Sequence, residues 1–361
     1  MNIALVKRQQ PSAWFAAVSP LIALSLTVAI GALLFAAQGQ APGTALYTYF
    51  IEPLTETWSV HELLIKAAPL ILIAVGLALC FQSRNWNIGA EGQFIMGAIL
   101  GSALPVLAPD FTPWFLLPLM CLLGAVGGAA YGAIPALLKT RFNTNEILTS
   151  LMLVYVAQLF LDWLVRGPWR NPEGYNFPES RIFSDAATLP MVWPDSGRAH
   201  WGIVFAVIAA IVLYIVQRKT LSGYRFRVVG LSPRAGRFSG FSEQRTVFFA
   251  FCLSGALAGI AGLAEVSGAG QQLRPVISPG YGFTAIIVAF LGRLNPLGIV
   301  AAGLVLALTY LGGEAAQMSL GLSDKVVRVF QGMLLFFVLA TDTLIHYQVR
   351  FSAGGAQRGN R

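Results

Sequence analysis

The sequence predicts an all-α polytopic membrane protein with about ten transmembrane helices, an inverted repeat and both termini in the cytoplasm. Of its 361 residues, 56% are hydrophobic and only 11% are charged, whereas about a quarter of the residues are charged in ordinary soluble domains. Long apolar runs recur along the chain and are separated by loops that hold most of the Lys and Arg residues. The whole chain, 1–361, is predicted to form a single transmembrane domain.

The apolar runs are placed by their length and by the charges beside them. The run 14–37 follows Lys7 and Arg8 and is longer than the roughly 7 to 15 apolar residues of a signal peptide, so it is predicted to be an uncleaved helix that starts inside. The run 283–291 has about half of the roughly 20 residues that a bilayer requires, which predicts a tilted or discontinuous helix. The other predicted segments are 63–81, 94–107, 114–138, 147–165, 201–216, 246–266, 297–311 and 326–341.

Two long loops separate these segments and differ in charge. The loop 217–245 carries seven Arg and Lys residues against a single acid, Glu243, so the positive-inside rule predicts that it is cytoplasmic. The loop 166–200 balances four arginines with four acids and contains several Pro and aromatic residues, and it is predicted to be extracytoplasmic. Its aromatic residues are consistent either with a docking surface for an outside partner or with a lid that rests on the membrane interface.

The centre of the cytoplasmic loop, 230–240, predicts a short helix with small residues on one side. Such an element would fit a groove of a cytoplasmic partner, whereas the alternative is a solvated positive anchor that serves topology alone. The candidate docking residues are Gly230, Pro233, Arg234, Ala235, Gly236, Phe238 and Ser239.

Two glycine-rich stretches, 83–97 and 267–282, interrupt the apolar pattern and contain polar residues. Irregular backbone and carboxylates are tolerated near hydrocarbon only where protein or a water-filled cavity receives them. The pattern is consistent with a substrate path and equally with polar helix–helix contacts. The two interruptions are expected on opposite sides of the membrane, and their places in the two halves indicate an inverted repeat. The candidate substrate-path residues are Asn87, Glu91, Gln93, Tyr281 and Phe283.

Several classes of protein are excluded by what the sequence lacks. No lysine follows a glycine, so there is no GxxxxGK[ST] phosphate loop, and neither HExxH nor GxSxG occurs. The net charge of +8 is spread over short loops, which argues against nucleic-acid binding. No catalytic residue, metal ligand or cofactor is therefore expected. The histidines and cysteines, which are far apart, are His61, His200, His346, Cys80, Cys121 and Cys252.

Five motifs in order carry a resemblance that covers nearly the whole chain. They are NWNIGAEGQFIMGA at 85–98, TNEILTSLML at 144–153, VVGLSPRAGRFSGF at 228–241, LSGALAGIAGLAEV at 253–266 and SPGYGFTAIIVAFLGRLNPLG at 278–298. This set resembles the permease subunits of bacterial ABC importers in the branched-chain amino acid and simple-sugar superfamily, closest to the nucleoside-type branch. Where that family usually has Asn-Pro-x-Ala-Ala in its coupling loop, this chain has Ser232 to Gly236, SPRAG.

The resemblance implies a transport subunit of the bacterial inner membrane that is not itself an enzyme. It implies two cytoplasmic ABC ATPase subunits, a second permease subunit that is homologous or identical, and an extracytoplasmic substrate-binding protein. The solute implied is a small polar molecule, a nucleoside before a simple sugar. A hypothesis from another functional class stays open: the chain could be an ion-coupled secondary transporter. Such a transporter would use intramembrane carboxylates, and the candidates are Glu91, Asp162, Glu265 and Asp342. A membrane-embedded enzyme is the least favoured alternative.

Overall fold

A computed structural model describes residues 2–7, 13–193, 198–323 and 325–352 of the chain. The chain is helical, and two short strands near its ends accompany the helices. It divides into two compact units, Met1–Ile51 with Gly312–Arg361, and Glu52–Leu311. The single transmembrane domain over 1–361 stays a prediction.

In chain order the elements are β1 (Asn2–Lys7), α1 (Ala13–Ala37), α2 (Pro42–Phe50), α3 (Thr57–Gln82), α4 (Ala90–Gly101), α5 (Ala103–Leu107), α6 (Leu116–Phe142), α7 (Glu146–Arg166), α8 (Gly202–Lys219), α9 (Leu221–Leu231), α10 (Pro233–Phe238), α11 (Glu243–Ala264), α12 (Tyr281–Leu291), α13 (Pro296–Leu320), α14 (Lys325–His346) and β2 (Tyr347–Ser352). A π-helical turn, Glu265–Gly270, continues α11, and short 3₁₀ turns occur at Glu52–Leu54 and Asp185–Ala187.

Seven helices of the described chain are long and apolar enough to cross a membrane: α1, α3, α6, α7, α8, α11 with its π-helical turn, and α13. Every predicted apolar segment falls on helix, but 94–107 consists of α4 and α5, and neither reaches the length of a span. The run predicted to be a short helix is α12, which has 11 residues. The count of ten transmembrane helices, the inverted repeat and the cytoplasmic termini stay predictions.

Helix α3 lies at the centre of the larger unit. The buried residues of α3 between Ile65 and Phe81 have no polar side chain. Helix α3 contacts α8, α11 and α12. A helix that is apolar all round is expected in the interior of a membrane protein, away from lipid. Helix α3 therefore supports α12, whose beginning is one of the two polar interruptions.

Glycines spaced four residues apart allow α4, α6 and α11 to approach one another closely. A Cβ atom added to Gly97 would collide with the backbone of Gly259, and one added to Gly128 would collide with the backbone of Gly255. Small residues at such crossings permit van der Waals contact between helix backbones, which is the main attraction between helices in lipid. These glycines therefore pack the three helices against one another.

The smaller unit is built from α1, α2, α14 and the end of α13. Phe35 and Tyr49 are fully buried with Phe330, and the rings of Tyr49 and Phe330 are stacked with centroids 4.8 Å apart. Strands β1 and β2 are antiparallel, with Asn2 opposite Ser352 and Lys7 opposite Tyr347, so they bring the two ends of the described chain together. Arg358 and Arg361, which the positive-inside rule predicts to be cytoplasmic, lie outside the described residues.

Candidate functional site

Asn87 and Gln93 form a buried amide pair where the chain leaves α3 and enters α4. Each amide nitrogen donates to the other side chain's oxygen, at 3.0 and 3.1 Å, and Asn87 Nδ2 also donates to Ser254 Oγ at 3.2 Å. The Gly89 N–H donates to Asn87 Oδ1 at 3.1 Å. These bonds satisfy groups that would be costly to bury unpaired. They support the helix-packing interpretation of Asn87 and Gln93, and a role for the pair on a substrate path stays a prediction.

Glu91 holds the beginning of α12. Its Oε2 accepts a hydrogen bond of 2.6 Å from the backbone N–H of Gly282, and Ser278 Oγ accepts from the N–H groups of Gly280 and Tyr281 at 3.0 and 2.9 Å. A carboxylate at a helix N-terminus is stabilised by the unpaired N–H groups and by the helix dipole. The two glycine-rich interruptions therefore meet in the structure, because α4 and α12 both begin within the helical core, where Glu91 and Gly282 are buried. The sides of the membrane from which the two interruptions are entered stay a prediction.

A cavity of about 340 Å³ lies beside Glu91. Its polar residues come from three separate parts of the chain: Glu91 on α4, Gln158 and Asp162 on α7, and Ser278 in the segment before α12. Asp162 is paired with Arg166 one helical turn away, at 2.7 Å. The apolar part of the wall is made by Ile95, Leu159, Leu161, Pro275, Val276 and Ile277.

A second cavity of about 210 Å³ adjoins the same segment. Its polar residues are Glu265, Gln272 and Arg274, and it shares the wall residues Val276 and Ile277 with the larger cavity. Sequence reasoning named Glu265 only as a candidate for ion coupling and did not single out Gln272 or Arg274. The signal that could have found them is the polar run QQLR at 271–274, which lies inside a stretch that is otherwise small or apolar.

The two aromatic candidates lie near this region but do not line either cavity. Tyr281 is buried, with its ring edge-on to the rings of Phe94 and Tyr310 at centroid distances of 6.2 and 5.6 Å. Phe283 is on the same helix and is partly exposed. Tyr281 thus packs α12 against its neighbours, and contact of either residue with a substrate stays a prediction.

The described part of the 166–200 loop folds over the chain between the π-helical turn and α12. Ser180 N–H donates to Leu273 O at 2.9 Å, and Leu273 N–H donates back to Ser180 Oγ at 2.8 Å. Phe183 N–H donates to Gln271 O at 2.9 Å. Glu179 accepts from Gln272 Nε2 at 2.8 Å and pairs with Arg274 Nε at 3.3 Å. The loop therefore holds two polar residues of the smaller cavity in position.

The short helix predicted at 230–240 is α10, which begins later than predicted because α9 continues through Gly230 to Leu231. Pro233 starts α10, and Ser232 Oγ caps it by accepting from Ala235 N–H at 3.3 Å. Proline at the first helical position and serine at the N-cap are both favoured there. The capping serine replaces the asparagine of the usual family pattern with no loss of a side-chain acceptor.

The seven candidate docking residues divide into a buried pair and an exposed group. A Cβ atom on Gly230 would collide with the carbonyl oxygen of Gln82, and one on Gly236 would lie 2.9 Å from Val229 Cγ2, so both glycines pack inward. The side chain of Phe238 is 94% exposed. The exposed candidates are Pro233, Arg234, Ala235, Phe238 and Ser239.

Lys139 joins the end of α6 to the segment between α3 and α4. Its Nζ donates to Asn85 Oδ1 at 2.8 Å and to Glu146 Oε1 at 2.6 Å. Asn145 caps α7 by accepting from Ile147 N–H at 2.9 Å, and Glu146 forms the ion pair with Lys139. This cluster fixes the segment that carries Asn87 toward α4.

Comparison with known proteins identifies the family. Residues 59–339 match the family described as branched-chain amino acid transport system / permease component. The chain belongs to this permease family. The resemblance drawn from its five motifs is thereby confirmed, and the protein is a multi-pass membrane permease of the ABC transporter type.

Three curated relatives extend over most of the permease. A glucose ABC transporter permease of Haloferax volcanii is 35% identical over 371 residues, covering 100% of this chain and 96% of that protein. A nucleoside ABC transporter permease of Lactococcus lactis is 29% identical, covering 88% of this chain and 89% of that protein. A guanosine ABC transporter permease of Bacillus subtilis is 27% identical, covering 93% and 95%. Permease subunits of this kind are transport components, so the chain is not assigned an enzymatic activity.

Proposed function

We propose that this permease forms the path for a small polar solute in an ATP-driven importer, with a nucleoside as the first candidate and a simple sugar as the second. The observation that carries the proposal is the 340 Å³ cavity at Glu91, which adjoins the junction of α4 and α12. Membership in the permease family supports transport, and relatives named for glucose, nucleoside and guanosine support the two solute classes.

The chemistry of the cavity suits a solute with several hydroxyl groups. Carboxylates at Glu91 and Asp162 accept hydrogen bonds, the amide of Gln158 both donates and accepts, and Ser278 adds a hydroxyl. Polar side chains that converge in an otherwise apolar cavity are the usual arrangement of a small-molecule site. Polar residues within a membrane domain also tend to mark a solute pathway. A solute passing Glu91 would contact the residue that holds the start of α12, which links passage to the packing of that helix.

Energy would come from partners on the cytoplasmic side. The exposed face of α10 supports docking of an ABC ATPase subunit, because Phe238 offers an apolar group and Arg234 a positive charge beside small Ala235. The buried contacts of Gly230 with Gln82 and of Gly236 with Val229 support a mechanical link from α10 to the end of α3. A second permease subunit would complete the path, and an extracytoplasmic binding protein would deliver the solute to the 166–200 loop. The proposed location is the bacterial inner membrane.

Isolation of the complex from native membranes tests this function. An importer permease purified with its lipids should bring down an ATPase, and the complex should hydrolyse ATP in proteoliposomes. An ion-coupled secondary transporter should instead be purified alone and should accumulate solute in response to an imposed proton or sodium gradient without ATP. Uptake of radiolabelled guanosine and glucose by the same vesicles, with ATP inside or outside, then assigns the solute class and the side of the ATPase.

A further inference from the structure

One carboxyl oxygen of Glu265 is buried without a hydrogen-bond partner among the described residues. Among the residues that the structure describes, Oε2 of Glu265 has no hydrogen-bond partner, although the atom is inaccessible to solvent. Buried polar atoms are nearly always paired, so an unpaired carboxylate oxygen beside a cavity indicates a missing donor. The 210 Å³ cavity that Glu265 lines is the place from which such a donor would approach.

The backbone at Glu265 departs from α-helical geometry. The residue opens the π-helical turn Glu265–Gly270 at the end of α11. Single π-helical turns are rare and occur frequently at functional sites, because the extra residue redirects side chains that an α-helix would place elsewhere. Here the turn brings Glu265, Ala269 and Gly270 to the wall of one cavity.

The charges around Glu265 are of both signs. Lys66 and Arg198 act on it as opposite charges, and Glu62 acts as a like charge. Glu62 is itself paired with Arg198 Nη2 at 2.9 Å. The described surroundings therefore carry charge of both signs, and none of these groups donates a hydrogen bond to Oε2 of Glu265.

The remaining polar wall of the cavity is held in position from outside. Glu179 on the 166–200 loop engages Gln272 Nε2 and Arg274 Nε, and this leaves the Gln272 carbonyl oxygen and the terminal guanidinium N–H groups of Arg274 for other partners. The cavity thus combines a carboxylate acceptor with a guanidinium donor and an amide oxygen. Two adjacent hydroxyl groups each donate and accept, so a vicinal diol matches this set.

We infer that Glu265, Gln272 and Arg274 form a second solute site that binds a vicinal diol, either the hydroxyl edge of a sugar ring or the ribose of a nucleoside. The inference rests on the proposed transport function and adds to it a binding step next to the Glu91 cavity. A cavity of about 210 Å³ is smaller than the roughly 300 to 1,000 Å³ of most ligand pockets, so it suits the diol-bearing part of a solute and not a whole nucleoside. The two cavities share the wall residues Val276 and Ile277, so both adjoin the same short segment before α12.

Equilibrium binding to the purified permease complex in lipid nanodiscs, without any extracytoplasmic binding protein, tests this site. The probes are guanosine against 2′,3′-dideoxyguanosine, and glucose against 2,4-dideoxyglucose, which has no two hydroxyl groups on adjacent carbons. The wild type should bind the diol-bearing member of one pair more tightly, and the pair that shows the difference identifies the source of the diol. Glu265→Gln should weaken binding of that probe roughly tenfold, because the amide offers one acceptor oxygen where the carboxyl group offers two, while binding of its deoxy analogue stays unchanged.

The matched control is Asp110→Asn, which removes an exposed carboxylate outside both cavities and should leave both affinities at the wild-type values. If Glu265→Gln lowers complex yield, Gln272→Ala should show the same selective loss for the diol-bearing probe. Equal weakening of both members of a pair, or no change in either, would overturn the site. Absence of any difference between the members of either pair in the wild type would also overturn it. If the diol site fails in this way but an ATPase still copurifies with the permease, the proposed transport function is unaffected.

Discussion

Glu91 Oε2 and the backbone N–H of Gly282 are joined by a hydrogen bond of 2.6 Å, although the two residues are 191 positions apart in the chain. The bond connects the first turn of α4 to the first turn of α12. A charge-assisted bond to a helix N-terminus is stronger than a bond between neutral groups. The same carboxylate lines the larger cavity, so a residue that holds two helices together is also available to a solute.

Replacement of Glu91 by Gln separates these two roles. Glu91→Gln keeps an acceptor for the Gly282 N–H and removes the charge, so we expect the yield of assembled complex to change little while solute uptake per complex falls by about tenfold. The measurement is uptake in proteoliposomes normalised to the amount of purified complex. A control, Glu91→Ala, removes the acceptor as well and should lower complex yield. Equal uptake per complex in wild type and Glu91→Gln would contradict a place for Glu91 on the pathway.

Substitution of Gly282 tests how closely α12 packs against α4. A Cβ atom at this position would overlap the backbone of Glu91, so we expect Gly282→Ala to destabilise the permease by about 1 to 3 kcal/mol, as overpacked cores do. Thermal unfolding in detergent measures the effect. Gly332→Ala on α14 is the matched control, since no atom lies within 4 Å of its added Cβ and alanine favours a helix. An unfolding temperature equal to the wild-type value for Gly282→Ala would contradict the contact.

The helices and the family could be predicted from the sequence, but the placement of the polar residues could not. Apolar runs and charged loops fix the approximate positions of segments because the bilayer imposes their length. The contact of Glu91 with Gly282 depends on how deeply α4 and α12 begin in the core, and no periodicity in the chain encodes that depth. The inward packing of Gly230 was missed for a similar reason, since the pattern of small residues does not say which side faces the protein.

The smaller cavity illustrates the same limit. Glu265 could be found as an acid near a segment end, but its π-helical turn has no signature in the run AEVSGAG. Gln272 and Arg274 become polar wall residues through Glu179, which is 93 positions away from Gln272. Contacts of this kind arise from tertiary folding of the 166–200 loop, which local sequence reasoning leaves open.

The orientation of the loops predicts opposite labelling from the two sides. Single cysteines at Ser239 and Ser184, in a background without Cys80, Cys121 and Cys252, should react differently with an impermeant thiol reagent applied to intact cells. Ser184 should be labelled from outside, and Ser239 only after the membrane is opened. Labelling of both from outside would contradict the ten-segment topology and the cytoplasmic position of α10.

His200 predicts a dependence of stability on pH. The ring is buried, which lowers its pKa from the ordinary value of 6.5 to about 4, and its Nδ1 accepts a hydrogen bond of 3.2 Å from Gly202 N–H. Since the unfolded chain binds this proton more readily, stability is full above the unfolded pKa and is lost as the pH falls from about 6.5 toward 4. The loss between pH 7 and pH 5 is about 2 kcal/mol.

Thermal unfolding of wild type and His200→Gln over this range checks the prediction. His200→Gln cannot titrate, so its unfolding temperature should fall less between pH 7 and pH 5 than that of the wild type. His61→Gln is the control, because His61 is stacked on Trp193 and is only partly buried. Parallel pH profiles of wild type and His200→Gln would show that another group carries the dependence.

The face of α10 gives a test of coupling to the ATPase. Ala235 is exposed between Arg234 and buried Gly236, so a bulky side chain there would meet a docked partner and not the permease itself. We expect Ala235→Trp to cost about 1 to 3 kcal/mol of docking free energy, by analogy with overpacked cores, and to lower transport and ATP hydrolysis together.

Gly236→Ala is the comparison, because its Cβ would press on Val229 and should instead reduce the stability of the permease. The measurement is ATP hydrolysis of the reconstituted complex with and without solute-loaded binding protein. If α10 is only a solvated positive anchor, Ala235→Trp should be harmless and only removal of several arginines should matter; unchanged stimulation would therefore place the coupling contact elsewhere on the permease.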